Sequence, residues 1–444
     1  MKAVQGYAPE RYYQQEIETM SPEALRALQG QRLAASVANC YANIPFYQQC
    51  MDELGVLPGD INSVDDLSKL PFTTKQDLRD AYPFGLFAID VRDKVQRLHA
   101  SSGTTGNATV CGYTQQDIDN WGDCFARTIY QVGGTSESII QIAYGYGLFT
   151  GGLGAHEGGI RSGATILPMG SGNTRRQVQM MNDFGSDILA CTPSYALLIA
   201  DTAIEMGYDP ANDFKLSGAI LGAEPWSQGM RQEIEEKLGV VAVDVYGLSE
   251  VMGPGVSCEC RAQDGLHVAE DHFIIEILDP ETLKPVPDGE FGELVFTTLT
   301  KECSPLLRYR TRDISRLLVG ECSCGRTLKR MDRISGRTDD MLIIRGVNVF
   351  PSQFQQAIAD FAEVTNHYEI ILTKKDQLDM VELRVETVPD FDFDEIRKIE
   401  KLQQRIAAEL KSSLQISVRV SIVEPKSLTR SSGKAKRVID ERRL

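Results

Sequence analysis

The sequence predicts an α/β protein in two parts: a large N-terminal domain with mixed sheets over residues 1–334, and a small α+β domain over 335–444. Three observations predict it. From about residue 85 to 330, short apolar runs alternate with helical stretches, the pattern of largely parallel strands joined by crossover helices. Beyond 335 the texture changes to one-sided strands and amphipathic helices. A chain of 444 residues also exceeds one ordinary core and suits a large domain plus a small one.

The elements follow in order. Residues 21–41 read as a helix: Ser21 can cap it, Pro22 suits its first turn, and Leu25, Leu28, Leu33 and Val37 share a face. Pro45, Pro58 and Gly59 mark a loop-like stretch, and a short helix is expected near 73–80. Strands are expected at 138–143, 164–167, 188–191, 219–221 and 240–245. The runs 273–278 and 292–297, separated by turn residues Asp288 and Gly289, read as an antiparallel or mixed appendage. In the small domain, Pro351 opens a helix with Phe354, Ile358 and Phe361 on one side. Val381, Leu383 and Val385 alternate with charged residues as a half-buried strand, and Ile416, Val418, Val420 and Ile422 do the same. Between them Ile396, Ile399, Leu402, Ile406 and Leu410 mark a long amphipathic helix.

Bulk properties exclude several classes. Hydrophobic residues make up 42% and charged residues 24%, the balance of a globular chain. There is no run of 18 apolar residues, so no membrane span is expected. The first residues, Met1 to Gly6, carry no leader pattern, which predicts a cytoplasmic protein. A net charge of −16 argues against nucleic acid as a partner, since phosphate backbones demand surplus Lys and Arg. Any polyanionic ligand must be held by local donors. Ten cysteines are too sparse for a disulfide scaffold and read as thiols or metal ligands.

Ser101-Ser102-Gly103-Thr104-Thr105-Gly106 places four hydroxyls and two glycines in six residues. Glycines allow close backbone approach, and hydroxyls with amides can surround phosphate oxygens. It is not a Walker-type loop, because Asn107 and Ala108 follow where Lys-Ser/Thr would stand. The plainer alternative is a polar surface turn.

Further motifs follow: Gly222-Ala223-Glu224-Pro225, Tyr246-Gly247-Leu248-Ser249-Glu250, Tyr309-Arg310-Thr311-Arg312-Asp313, Gly336-Arg337-Thr338-Asp339-Asp340 and Ser432-Gly433-Lys434. In this order and spacing, over nearly the whole chain, the set resembles the adenylate-forming superfamily of acyl-CoA synthetases, synthetase adenylation domains and luciferases. Within it, the stretches 246–256 (YGLSEVMGPGV) and 341–353 (MLIIRGVNVFPSQ) are similar to phenylacetate–coenzyme A ligases.

The resemblance implies a chemistry and a role for each motif. A carboxylic acid is a poor electrophile, so ATP converts it to an acyl-adenylate, a step governed by positioning and charge neutralisation. Ser101, Ser102, Gly103, Thr104, Thr105 and Gly106 would wrap the leaving pyrophosphate. Glu250 would hold Mg²⁺, a hard cation suited to carboxylate oxygen. Gly222, Ala223, Glu224 and Pro225, with Asp244, Tyr246 and Gly247, would frame adenine, Tyr246 stacking on the ring. Asp313 would accept the ribose hydroxyls and Arg337 would contact ribose or phosphate. The family often has glycine where Arg312 stands, and the phenylacetate branch has arginine. Lys434, rather than Lys436, would enter the site from the small domain as a point charge in adenylation. That domain is mobile in the family: it rotates after adenylation about a hinge, here Asp339, and Arg345 to Asn348 would then face the nucleotide or pantetheine path. Many relatives carry lysine where this chain has Asn107, so one cation is missing. The acid pocket is expected along Tyr144, Tyr146 and Phe149, an aromatic and glycine-rich stretch suited to a flat apolar acid. Ordinary packing at a strand end is the alternative.

The cysteines suggest a second site. Cys322-Ser323-Cys324 lies in a glycine-flanked turn, and Cys258-Glu259-Cys260 precedes His267. The favoured set is Cys260, His267, Cys322 and Cys324 around a structural Zn²⁺, against reduced structural thiols. The sequence therefore points to an AMP-forming ligase that uses ATP to join a carboxylic acid, phenylacetate-like, to coenzyme A; the family suggests a homodimer. Its rivals are an adenylating enzyme with another acyl or AMP acceptor, and a silent nucleotide sensor of the same fold.

Overall fold

Short, mainly apolar runs form the buried strands, with Gln141 and Asp244 as polar exceptions held by Gln177 and Glu259. Ile139–Ile142, Ile188–Cys191, Gly218–Gly222 and Val241–Leu248 pair in parallel, with Thr165–Leu167 at one edge. Their side chains divide by parity between two cores. Leu189, Cys191, Ala219, Leu221 and Ala242 face helices Thr174–Phe184, Pro193–Glu205 and Gln228–Leu238. Ile188, Ala190, Ile220, Val243 and Val245 face Phe125, Ile129 and Ala155 of helices Gln115–Gln131 and Thr150–Ser162. Helices on both faces explain why these strands lack a polar side.

The computed structural model describes residues 12–101, 108–338, 342–344, 347–375, 378–393, 395–414, 416–430 and 437–442. Among them the parallel strands belong to a nine-stranded sheet that continues antiparallel through Gly253–Glu259, Leu266–Val268, Arg330–Met331 and Leu317–Leu318. A second, antiparallel sheet runs Phe273–Leu278, Gly292–Thr298, Tyr309–Ser315 and Gly336–Arg337. The expected appendage at 273–298 is thus part of a full sheet. Helix Pro22–Asn43, capped by Ser21 Oγ on the Ala24 amide at 3.3 Å, buries Leu33, Val37 and Cys40 in the same core as Phe273, Leu294 and Phe296.

The last domain has its own core. Its sheet runs Arg419–Val423, Leu378–Thr387, Val364–Lys375 and Val438–Asp440, covered by Pro351–Ile358 and Ile396–Leu414. Phe354, Ile370, Leu383, Leu402, Ile406 and Leu410 are central to it. Two local expectations shift: Phe361 lies past its helix, and Ile416 and Val418 precede their strand while packing into the same core. Strand Gly336–Arg337 pairs with Ile314 and Asp313, so the large domain's sheet reaches residue 337, beyond 334. Polar side chains join the two parts: Asn366 Nδ2 donates to Glu233 Oε2 at 3.0 Å, Lys426 pairs with Glu205, and Ser352 Oγ donates to the Ser335 carbonyl. No helix among the described residues is long and apolar enough to cross a membrane.

Candidate active site and metal centre

The C-terminal ends of the parallel strands place the first group. Gly222 ends its strand against Val245, where an added Cβ would stand 2.2 Å from the Val245 carbonyl oxygen. Ala223 follows with φ +72°, a left-handed backbone rarely held by a residue with a side chain. Glu224 turns back: its Oε1 accepts from the Ser194 amide at 2.7 Å and from Ser194 Oγ, binding the 222–225 turn to the start of helix Pro193–Glu205. Asp244 Oδ2 accepts from Arg333 Nε at 3.2 Å, and Arg333 lies 4.6 Å over the Trp226 ring. The Asp244 amide donates to Glu259 Oε2 at 2.8 Å; Glu259 is held by Arg231 in a fully buried pair.

Tyr246 and Asp313 come from different sheets and meet. Tyr246 OH donates to Asp313 Oδ2 at 2.6 Å, and Arg337 Nη1 donates to Oδ1 at 2.6 Å. Burial, reinforced by Asp313, pushes the Tyr246 phenol well above its ordinary range, so it stays a donor. Its ring stacks on Phe296, with centroids 6.1 Å apart. Both oxygens expected to receive the ribose thus already have protein donors, and a diol would share or displace them. Gly247, next in the chain, lies so close to Gly253 that an added Cβ would be 1.7 Å from its carbonyl oxygen.

Glu250 is 6% exposed and lies against Thr109. Thr109 Oγ1 donates to Glu250 Oε1 at 3.1 Å, and Ser101 Oγ hydrogen-bonds Thr109 in turn. Lys75 Nζ lies 3.4 Å from the same carboxylate oxygen. The buried Lys301 Nζ donates to the backbone oxygens of Glu250 and Val251 at 3.2 and 3.1 Å and lies 4.5 Å from the Tyr113 ring centroid. Lys75, Thr109 and Lys301 belong to none of the sequence motifs. The signal that could find Lys75 is Thr74-Lys75-Gln76-Asp77, a capping box that starts a helix: Thr74 caps the Asp77 amide and Asp77 bonds the Thr74 amide at 2.7 Å.

The other expected residues divide. Tyr144 is buried in the core with Val245 and Cys258, while Tyr146 and Phe149 are 37% and 56% exposed. Tyr146 OH approaches His156 Nδ1 at 3.3 Å. Ser102, Gly103, Thr104, Thr105, Gly106 and Asn107 lie outside the described residues, as do Asp339, Asp340, Arg345, Gly346, Lys434 and Lys436.

Apart from this site, the sheet's antiparallel extension assembles the cysteine set. Cys260, His267, Cys322 and Cys324 are all buried, with ligand atoms within 4.8 Å of one another. Cys260 Sγ and Cys322 Sγ are 3.6 Å apart, and Cys324 Sγ is 3.3 Å from His267 Nε2. Sulfur–sulfur hydrogen bonding splits the thiols: it drives Cys260 upward through Cys322 and drives Cys324 downward through Cys260. None of the ten cysteines is in a disulfide.

A buried carboxylate bonded to Thr109, with an Asp–Arg–Tyr cluster from a second sheet and a separate small domain after it, is the arrangement of an adenylate-forming enzyme. Residues 91–299 match the family model of AMP-binding enzymes, and 346–442 match that of the AMP-binding enzyme C-terminal domain. The chain belongs to the phenylacetate–coenzyme A ligase family of AMP-forming acid–thiol ligases. It is 50% identical to the phenylacetate-coenzyme A ligase of Escherichia coli over 430 residues, 96% of this chain and 97% of the relative. It is 46% identical to that of Thermus thermophilus over 446 residues, 97% and 100% of the two chains. Among solved structures, 2-hydroxyisobutyryl-CoA ligase in its postadenylation state with an adenylate superposes with a TM-score of 0.91 at 27% identity, covering 99% of this chain and 94% of that one. The same ligase in its thioesterification state, over the same coverage, gives 0.72.

Proposed function

We propose that the chain activates an aryl acid, phenylacetate or a close analogue, in two steps: acid plus ATP gives acyl-AMP and pyrophosphate, then acyl-AMP plus coenzyme A gives acyl-CoA and AMP. The observation that carries this reading is the line Ser101–Thr109–Glu250–Lys75 beside the Tyr246–Asp313–Arg337 cluster. The first can hold a polyphosphate and the second a nucleoside, leaving the α-phosphate between them. The acid is inferred from the named relatives.

Each residue has a task in the first step. Glu250 would hold Mg²⁺: a buried carboxylate with a hydroxyl donor and an ammonium beside it is already organised for an anion–cation exchange. That ion supplies charge neutralisation on the leaving pyrophosphate. Lys75 lies where it can serve as the cation that the loop 101–107 lacks, swinging from Glu250 to a phosphate oxygen. Asp313 and Arg337 fix the ribose, and Tyr246 holds Asp313 in place. The hydroxyl loop from Ser102 to Gly106 and Lys434 complete the phosphate end by family resemblance, and Asp339 serves as hinge. Tyr144, Tyr146 and Phe149 would shape the acid pocket.

The second step calls for another arrangement. The better superposition on a postadenylation structure than on a thioesterification one supports a small domain standing here as it does after adenylation. Its polar, separable contacts with Glu205 and Glu233 suit rotation. The Cys260–His267–Cys322–Cys324 cluster takes a structural zinc with no part in either step. A cytoplasmic homodimer is the setting we assign, with acid, ATP and coenzyme A as partners.

The test is pyrophosphate release across arylacetic, benzoic and short-chain acids, with and without coenzyme A. Phenylacetate or a near analogue should give pyrophosphate and acyl-CoA, and Lys434→Ala and Glu250→Gln should each lose about 100-fold or more in adenylation, the order seen when one stabilising group is removed. ATP binding without pyrophosphate release from any acid would overturn the reading in favour of a nucleotide sensor.

A further inference from the structure

The four-ligand cluster has a geometry and a position that together assign it a task. A tetrahedral zinc with Zn–S bonds of ~2.3 Å and Zn–N bonds of ~2.1 Å has S–S and S–N edges of about 3.8 and 3.6 Å. The Cys260–Cys322 separation of 3.6 Å and the Cys324–His267 separation of 3.3 Å lie within about 0.3 Å of these edges. Three thiolates and an imidazole favour zinc over hard cations and leave no open vertex for water or substrate. The centre is therefore closed.

What the centre anchors is irregular. Residues 319–329 contain no helix or strand, although they join strands Leu317–Leu318 and Arg330–Met331 and carry two of the ligands. Residues 12–20 lie against this turn. Tyr12 OH donates to the Cys324 carbonyl oxygen at 2.8 Å. Arg326 Nε donates to Glu18 Oε2 at 2.6 Å, with both side chains fully buried, and the guanidinium lies 4.9 Å from the Tyr12 ring centroid. The Thr327 amide donates to the Glu18 carbonyl at 3.1 Å, and its hydroxyl to that of Met20 at 2.6 Å. On its other side, the segment meets Arg127, which donates to Gln14 Oε1 at 2.7 Å. A buried ion pair is stable only while its geometry is held, because removing one partner leaves an uncompensated charge. The turn that presents Arg326 has no helix or strand of its own; hydrogen bonds tie its ends at Gly320 and Lys329, and a metal joining Cys322 and Cys324 to Cys260 and His267 would fix its middle.

Building on the zinc assignment above, we propose that this centre is a latch: it fixes the turn 319–329 and thereby seats residues 12–20 on the large domain. Metal binding and the docking of the N-terminal segment are then one event, separate from adenylation.

The experiment uses the full-length protein purified under reducing conditions. Metal is measured by elemental mass spectrometry, and amide hydrogen exchange is followed over residues 12–20 and, as an internal reference, over the buried strand Ile188–Cys191. The parent should carry one zinc per chain. Cys322→Ser/Cys324→Ser, and the parent stripped by a chelator, should lose the metal and exchange at least tenfold faster over 12–20 with the reference strand unchanged. Arg326→Met should keep its zinc and still show faster exchange over 12–20. Absence of zinc, or a Cys260–Cys322 disulfide found by mass, would overturn the metal assignment. Zinc that is lost without any change over 12–20 would overturn the latch alone. If the double-serine variant fails to fold, the chelated parent and Arg326→Met decide both points. The ligase reading is decided separately, by pyrophosphate release.

Discussion

Two backbone positions show why particular residue types recur in the site. Arg312 has φ +68° while its amide donates to Glu293 Oε1 at 3.1 Å. Glycine would enter this left-handed geometry without a Cβ penalty of about 1 kcal/mol. Arg312→Gly should therefore leave the melting temperature nearly unchanged, whereas the β-branched Arg312→Val should lower it by several degrees in a thermal melt. Gly247 is less forgiving. Gly247→Ala would drive a methyl to 1.7 Å from the Gly253 oxygen, so the strand pair 241–259 must shift. A loss on the order of 3 kcal/mol in urea unfolding is expected, together with weaker ATP binding, because Tyr246 and Glu250 flank that backbone. The motifs could be picked out in the sequence because each has a local signature, and the grouping of Cys260, His267, Cys322 and Cys324 could be picked out because cysteine and histidine are few. Lys75 and Thr109 could not: they reach Glu250 only through tertiary folding, and an isolated lysine or threonine carries no pattern.

At the scale of elements, the helix Lys75–Asp80 is only six residues long, yet it delivers Lys75 Nζ to within 3.4 Å of the Glu250 carboxylate. Its start depends on the reciprocal bonds of Thr74 and Asp77. Thr74→Ala should cost about 1 kcal/mol of stability, and should raise the KM for ATP several-fold while the KM for coenzyme A stays put. An unchanged ATP dependence would detach Lys75 from the phosphates. The parallel strands were readable because burial on both faces leaves runs that are mainly apolar. The antiparallel extension was not, since Leu317–Leu318 and Arg330–Met331 are two residues each, too short for any alternation to register. Alternation also overran its strand at Ile416 and Val418, where the core extends past the hydrogen-bonded ladder.

For the whole molecule, His272 sets an acid limit. It is buried, with Nδ1 2.7 Å from Thr300 Oγ1 and Nε2 3.1 Å from Asp271. Burial pushes its imidazole down to about 4, assisted by Arg127 and Arg32 and opposed by Asp271. An unfolded histidine titrates near about 6.5. Between those values the unfolded chain binds a proton that the folded chain refuses, so stability present above about pH 6.5 is lost as pH falls toward 4. The shift corresponds to about 3 kcal/mol at full extent. His367, in the small domain, is pushed to about 4 by its own burial and acts in the same direction. Urea unfolding at pH 7, 6 and 5 should show a falling midpoint, and His272→Gln should flatten the slope relative to the parent. Equal slopes would remove His272 as the cause.

The main sheet ends in a strand of two residues, Leu317–Leu318, on one side and of three, Thr165–Leu167, on the other. Neither margin offers a row of unpaired amides long enough to template a foreign strand. Crowded copies of this chain therefore cannot lengthen one another's main sheet through these margins, and a dimer must meet elsewhere on the surface. With a net charge of −16 added, self-association through any other surface should strengthen with salt, which screens the repulsion between copies.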